Sequence, residues 1–170
     1  MTWVFILILL AAIILFLVSS RLQKDSGLPG GRIIRSDVNL WGEHNTQPLF
    51  DGSIGLTGKP DYLVRDGNTI IPVELKTGRT PEAPYDAHIF QLAAYLLLTE
   101  KVYQLPVPYG LIRYPQNTFQ IENTQQLQKQ TLDLIAEMHR NETEPNVHRS
   151  HADPVRCEHC GYKDICDERL

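Results

Sequence analysis

The chain lacks several features that would assign a protein to a class at once. It has only three cysteines among 170 residues, all between Cys157 and Cys166, so it carries no disulfide framework of the kind found in small secreted domains. Its formal net charge of -4 excludes a broadly basic surface, and any contact with nucleic acid must depend on a local basic groove. A reduced compartment or a metal site explains the cysteines better than disulfide bonding.

Charge is also absent from residues 1–20, where an apolar run extends from Trp3 to Val18. As a helix this segment is about 27 Å long at ~1.5 Å per residue, close to the hydrocarbon thickness of a bilayer. A cleavable signal peptide fits less well, because no basic residue precedes the run and no small-x-small cleavage site follows it closely. A buried core helix rarely lacks every polar position. We therefore predict a single-pass transmembrane anchor over residues 1–20.

The charges that follow this segment predict its orientation. Because basic residues flank membrane spans on the cytoplasmic side, they place the rest of the chain in the cytoplasm, below an inner or cell membrane. Residues 21–31 read as a juxtamembrane linker, residues 32–146 as the main domain, and residues 147–170 as a cysteine-containing tail that packs on it. The basic residues that predict this orientation are Arg21, Lys24, Arg32 and Arg35.

The pattern of the soluble part predicts an α/β protein, an α+β arrangement in which a mixed sheet is flanked by helices. An Asp-Gly turn at Asp66 joins two strands of a hairpin. One helix begins with Asp86 as its N-cap, and a second, amphipathic helix carries an apolar stripe. Predicted strands cover residues 32–38, 60–64, 69–75, 109–114 and 118–121; predicted helices cover 86–100 and 123–140; the stripe consists of Leu127, Leu134, Ile135 and Met138.

Charged residues stand inside the hairpin among neighbours that are suited to burial. With the turn centred on Gly67 and Asn68, paired positions place Asp61 directly opposite Glu74. Two carboxylates held on one face repel each other unless a cation lies between them, and hard ions such as Mg²⁺ prefer such oxygen ligands. Lys76 lies on the face of Glu74, two residues along the strand. A register shifted by one residue would separate the carboxylates.

The alternative is an ordinary strand face with solvated charges, which any isolated D…ExK spacing permits. Here the helix that follows adds His88, Gln91 and Tyr95 at spacings of three and four residues, which form one polar face. That face can turn toward the hairpin carboxylates.

These residues resemble a known family. The segments "GKPDYLV", "PVELKTG" and "HIFQLAAYLL" are similar to the motifs of PD-(D/E)XK nucleases, in particular the RecB-like branch that includes the CRISPR-associated exonucleases. The resemblance covers about residues 33–166. It implies a restriction-endonuclease-like core and metal-assisted hydrolysis of phosphodiester bonds in DNA, with single-stranded DNA or duplex ends as substrate.

The resemblance also implies roles for individual residues. Asp61 and Glu74 would bind Mg²⁺ or Mn²⁺ together with the backbone carbonyl of Leu75. Lys76 would act as the catalytic lysine, and two residues of the following helix would support it. The two residues that would support Lys76 are Gln91 and Tyr95.

The cysteines resemble the C-terminal ligands of the same branch, which hold a [4Fe–4S] cluster with a fourth cysteine from the front of the domain. Thiolates at this spacing suit an iron–sulfur cluster or Zn²⁺, and inert free thiols are the alternative. This chain has no fourth cysteine. The ligands would be Cys157, Cys160 and Cys166, with completion by His148, His151, His159, Asp37 or His44.

The region in front of Asp61 is shorter than in RecB-like relatives, which carry there a histidine that binds the active-site metal. His44 is the sole upstream histidine and a candidate for that ligand, with Glu43 beside it. The leading hypothesis is a membrane-anchored, metal-dependent DNA nuclease. The alternatives are a catalytically weak, nuclease-like module that binds DNA or protein, and a membrane-tethered metal or redox sensor built on the cysteine tail.

Overall fold

The computed structural model describes residues 2–25, 27, 29–36, 47–145 and 147–170. In this part of the chain, four helices and seven strands follow one another. The helices are α1 (Thr2–Asp25), α2 (Asp86–Tyr103), α3 (Gln125–Thr143) and α4 (Pro154–Glu158). The strands are β1 (Arg32–Ser36), β2 (Leu49–Asp51), β3 (Leu56–Gly58), β4 (Tyr62–Asp66), β5 (Thr69–Leu75), β6 (Tyr109–Arg113) and β7 (Thr118–Glu122).

Five strands form one mixed sheet in the order β1-β4-β5-β6-β7, and β2 and β3 form a separate two-stranded sheet. Neighbours in the large sheet are antiparallel except β5 and β6, which are parallel. Parallel neighbours need a crossover connection, and α2 supplies it. The prediction of a mixed sheet flanked by helices is confirmed.

The β4–β5 hairpin has the register that the sequence predicts. Tyr62 pairs with Val73 and Asp66 pairs with Thr69, so the turn is centred on Gly67 and Asn68. Gly67 has a φ of 58°, a left-handed conformation in which glycine carries no steric penalty. Asp61 directly precedes the paired strand, and continuation of the register places it opposite Glu74.

The hairpin side chains divide between two faces of the sheet. One face carries a cluster of Tyr62, Val64, Ile71, Val73 and Leu111. On the other face, Leu63 and Ile70 pack with Leu49 and with Leu98 of α2. Helix α2 therefore covers the second of these faces. Because successive side chains of β5 point to opposite faces of the sheet, Glu74 lies on the face that α2 covers.

Helix α1 is apolar from Trp3 to Val18, and none of its residues from Trp3 to Arg21 is buried. It is long and apolar enough to cross a membrane, and no other helix in the described ranges has that property. The helix continues to Asp25, five residues beyond the predicted anchor, so the first part of the predicted linker is helical.

Two details of the helices differ from prediction. Asp86 is the first residue of α2, and the N-cap position belongs to Tyr85, whose side chain makes no capping hydrogen bond. Asp86 still favours the helix, because a negative charge in the first turn complements the helix dipole. In α3 the buried residue is Thr131. The predicted stripe is wrong in part, since Leu134 and Met138 are exposed.

The chain divides into two compact units, residues 1–133 and residues 134–170. The first contains the sheet, the hairpin and α2. The second contains the last turns of α3, the short helix α4 and the three cysteines.

We predict that Gly110→Val destabilises the first unit by about 1–3 kcal/mol, because a Cβ at Gly110 would lie 2.9 Å from Cδ1 of the fully buried Leu92. Thermal unfolding of the detergent-solubilised full chain measures the effect. Gly78→Val is the matched control, because a Cβ there meets no atom within 4 Å. Equal melting temperatures for the two variants would contradict the tight packing of α2 on β6.

Candidate active site

The two hairpin carboxylates come together at the end of the β4–β5 pair. Asp61 precedes β4, and its Oδ2 accepts a hydrogen bond of 2.6 Å from the backbone N–H of Leu75. Glu74 lies in β5, is only 6% exposed and faces α2. The structure thus brings Asp61, Glu74 and Leu75 into one small region, as the sequence predicts.

Lys76 and Gln91 join this region through a closed set of hydrogen bonds. Lys76 Nζ lies 2.9 Å from Glu74 Oε1 and donates to Gln91 Oε1 at 2.6 Å. Gln91 Nε2 donates to Glu74 Oε1 at 2.8 Å and to the hydroxyl of Tyr95 at 3.0 Å. All five side chains predicted for catalysis therefore belong to one site. Gln91 connects the anionic and the cationic group, and its own orientation is fixed by Tyr95.

The electrostatics of the site oppose ionisation of Glu74. Burial raises the pKa of the Glu74 carboxyl, and the adjacent Asp61 carboxyl, close enough to share a hydrogen bond, raises it further. The hydrogen bond and the positive charge of Lys76 act in the opposite direction. The net result is a raised pKa, as expected for a buried acid that faces a second acid.

The donor set fits a hard divalent cation. The Asp61 and Glu74 carboxyl groups lie side by side, as two ligands of one cation must. Within the described ranges no group of three or more His, Cys, Asp or Glu side chains is placed to hold a metal. Two carboxylates with a backbone carbonyl and water are a ligand set that Mg²⁺ accepts. His44, the predicted additional ligand, lies outside the described residues.

Three further residues lie near the site, and of these the sequence indicated only His88, as part of the polar face of α2. His88 lies on the α2 face of Gln91, and its Nδ1 is 2.6 Å from the hydroxyl of the buried Tyr114. Burial, with the nearby charge of Lys76, lowers the pKa of His88. Gly58 of β3 approaches the ring of Tyr95 so closely that a Cβ would lie 2.7 Å from Cε1. The spacing of His88 from Gln91 indicated that both lie on one face of the helix. Nothing in the sequence indicates that Tyr114 or Gly58 lies near the site.

The cysteines lie in the second unit and are separate thiols. Cys157 is buried, Cys160 is half-buried and Cys166 is exposed. All three line a cavity of about 280 Å³, which His148 and His151 also line.

The described part of this unit gives no support for a four-ligand cluster. None of its described side chains form a metal-holding group of three or more ligands. His148 Nδ1 instead lies 2.5 Å from Glu168, and His159 Nδ1 lies 2.9 Å from the carbonyl of Val155. Asp37 and His44 lie outside the described residues. The iron–sulfur prediction therefore has no support from the geometry.

The chain is similar to several known proteins. Residues 20–167 match the PD-(D/E)XK nuclease superfamily. A CRISPR-associated exonuclease Cas4 from Francisella tularensis subsp. novicida (strain U112) is 25% identical over 140 residues, which cover 79% of this chain and 70% of that protein. The crystal structure of SSO0001 shares 23% identity with a TM-score of 0.47 and covers 68% of this chain. The chain spans about half, 52%, of the length of SSO0001.

We predict that Glu74→Gln raises the melting temperature of the full chain in chelator at neutral pH. Because the pKa of Glu74 is raised, the folded chain binds this proton more tightly than the unfolded chain does. Glu74 therefore favours the fold at low pH, and this contribution is lost as pH rises through its pKa in the folded state. Gln does not ionise, so the difference in melting temperature between Glu74→Gln and the wild type should widen as the pH rises above 4.5, the ordinary pKa of a glutamate side chain.

The matched control is Glu82→Gln, because Glu82 lies exposed in the loop between β5 and α2. Melting curves across the pH range should show no widening difference for this variant. A Glu74→Gln chain that melts below the wild type at every pH would show that the hydrogen bonds to Lys76 and Gln91 outweigh the burial of charge.

Proposed function

This chain belongs to the PD-(D/E)XK nuclease superfamily, and on that premise we propose that it is a membrane-anchored, Mg²⁺- or Mn²⁺-dependent deoxyribonuclease. The observation that supports this most is the joint placement of Asp61, Glu74 and Lys76, with Gln91 bonded to the latter two. A buried carboxylate facing a second carboxylate destabilises the free protein. Such an arrangement is typical of a site built to bind a cation.

Each residue has a distinct part in the proposed reaction. Asp61 and Glu74 would hold the divalent ion, which supplies Lewis acidity and a nucleophilic water at neutral pH. Lys76 presents its ammonium at the same place and stabilises negative charge as it develops on the scissile phosphate. Gln91 keeps that ammonium beside Glu74, and Tyr95 keeps the Gln91 amide in position.

We propose single-stranded DNA or a duplex end as the substrate, cleaved as an exonuclease. The curated relative is named as an exonuclease, which favours cleavage from an end. The net charge of -4 argues against extended contact with duplex DNA. The competing function is a nuclease-like binding module without turnover, whose affinity for DNA or protein would not depend on Glu74 or Lys76.

The anchor in this proposal is α1, a single span with the nuclease unit on the cytoplasmic side of the inner or cell membrane. Its apolar side chains are exposed from Trp3 to Val18, an area that a bilayer would cover. Arg21 and Lys24 follow that apolar stretch within the same helix, where they suit the cytoplasmic face.

Asp61→Ala and Lys76→Ala are each expected to lower the cleavage rate of single-stranded DNA at least about a hundredfold in Mg²⁺ or Mn²⁺. The first removes a cation ligand, and the second removes the charge opposite the phosphate. The assay follows end-labelled oligonucleotides with the full chain in detergent micelles, and chelator should abolish the wild-type activity.

Two exposed residues supply the matched controls. Asp133→Ala and Lys101→Ala remove the same charges on α3 and at the end of α2, and both should cleave at the wild-type rate. Equal activity of Asp61→Ala and Asp133→Ala would end the catalytic assignment. A wild-type chain that binds DNA but leaves every substrate intact would favour the binding module.

The anchor is tested by membrane extraction. We expect the full chain to stay in the membrane pellet after alkaline carbonate treatment. The double variant Leu10→Arg with Ile13→Arg should be released, because each charge at the centre of a span costs roughly 2.5–3.5 kcal/mol. Leu10→Ala with Ile13→Ala is the control and should stay in the pellet. A wild-type chain in the soluble fraction would contradict the anchor.

A further inference from the structure

A row of aromatic rings continues the catalytic face of α2 toward its N-terminus. The ring centroids of Tyr85 and His88 are 5.4 Å apart, those of His88 and Tyr114 are 5.8 Å apart, and those of Tyr114 and Phe119 are 5.7 Å apart. Tyr114 is 1% exposed, whereas Tyr85 is 56% exposed. The row therefore begins in the core and ends in solvent.

The row is joined to the active site through α2. His88 is one helical turn from Gln91, the residue that bonds both Glu74 and Lys76, and Tyr85 is one turn further. From the N-cap Tyr85 to Gln91 the backbone advances roughly 9 Å along the helix axis. This distance corresponds to about three nucleotides at the ~3.4 Å spacing of a stacked strand. A strand whose phosphate lies at Lys76 can reach the Tyr85 ring.

The exposed Tyr85 ring packs on a neighbour that is itself hydrogen-bonded to the core. His88 is fixed by its hydrogen bond to the Tyr114 hydroxyl, and the Tyr85 ring meets the imidazole at 85°. The loop before Tyr85 is fastened as well, because Thr80 and Gln116 hydrogen-bond to each other. A perpendicular contact leaves at least one face of the Tyr85 ring open to a ligand.

Local structure does not explain the tyrosine at this position. Tyr85 is the N-cap of α2, where Ser, Thr, Asp or Asn would satisfy a free N–H, and its side chain makes no capping hydrogen bond. Its backbone carbonyl accepts from the N–H groups of His88 and Ile89, a bond that any residue can make. The ring thus projects beside a phosphate-handling site without a capping role.

We propose that Tyr85, positioned by His88, stacks on an unpaired base of the DNA strand that lies in the active site. The inference rests on the proposed nuclease function and names the substrate feature that the site selects. Every base offers a ring face, so stacking tolerates any sequence, whereas a base inside a duplex is already covered by its neighbours. The contact therefore selects single-stranded DNA over paired DNA.

Binding is measured first, in the Asp61→Ala background, so that cleavage does not interfere. Fluorescence anisotropy follows the full chain in detergent with labelled single-stranded oligonucleotides. Tyr85→Ala should weaken binding roughly tenfold, in line with the loss of one base–aromatic stack. Tyr85→Trp and Tyr85→Phe should bind like the parent. The matched control is Phe50→Ala, because Phe50 is a 65% exposed aromatic of β2 and should have no effect.

Oligonucleotides with a single abasic site at successive positions identify the stacked base. At one position the missing base should weaken binding to the parent about tenfold and should weaken binding to the Tyr85→Ala variant no further. In the cleavage assay with intact Asp61, Tyr85→Ala should raise KM and leave kcat unchanged. If an abasic site weakens binding equally with and without the Tyr85 ring at every position, the stacking proposal is overturned.

The experiments can refute the stacking proposal and the nuclease proposal independently of each other. A chain whose binding depends on Tyr85 but that cleaves no DNA would support the stacking and refute the nuclease. A chain that cleaves DNA in an Asp61-dependent manner, yet binds equally well with Tyr85→Ala, would refute the stacking alone.

Discussion

The repulsion between Asp61 and Glu74 is the constraint on which the rest of the site depends. The hairpin register places the two acids together, and the burial of Glu74 under α2 prevents water from screening them. Lys76 lowers the pKa of Glu74 through its hydrogen bond and its charge, but burial and the Asp61 carboxyl outweigh it, so the pKa stays raised. Two carboxylates held together in a fixed geometry attract a cation more strongly than a relaxed, solvated pair would. Stability is thus given up at the place where binding is needed.

The single parallel pair in the sheet explains why one helix carries so much of the site. A connection between β5 and β6 must cross over the sheet, and α2 therefore lies on the same face as Glu74. Its helical period then aligns Tyr95, Gln91 and His88 above the end of β5. Buried Leu92, Ala93 and Leu96 on the adjacent face keep the helix at that distance, and Gly110 permits the close approach.

Much of this arrangement could be predicted from the sequence, because it depends on local periodicity. An Asp-Gly turn with alternating hydrophobic residues determines which hairpin positions pair, and spacings of three and four determine which helix residues share a face. Contacts between distant segments carry no such signal. The Tyr114 hydroxyl at His88 and the Gly58 backbone at Tyr95 depend on packing across the sheet. Thr131 is buried in α3 although the apolar pattern favoured Leu134 and Met138, since burial depends on what lies opposite.

Gly27, two residues after α1, lies close to the candidate active site. Gly27, which has a φ of 64°, packs against Thr118 and Arg113, and Arg113 pairs with Leu75 beside Glu74. Gly27 therefore contacts side chains of β6 and β7, next to the end of β5 that carries Glu74. In a chain tethered through α1, this contact limits how far the active end of the sheet can move from the bilayer surface. A flexible single strand can enter such a restricted space at a lower cost than a stiff duplex, whose persistence length is about 50 nm. The proposed anchor and the proposed stacking on Tyr85 thus favour the same unpaired substrate.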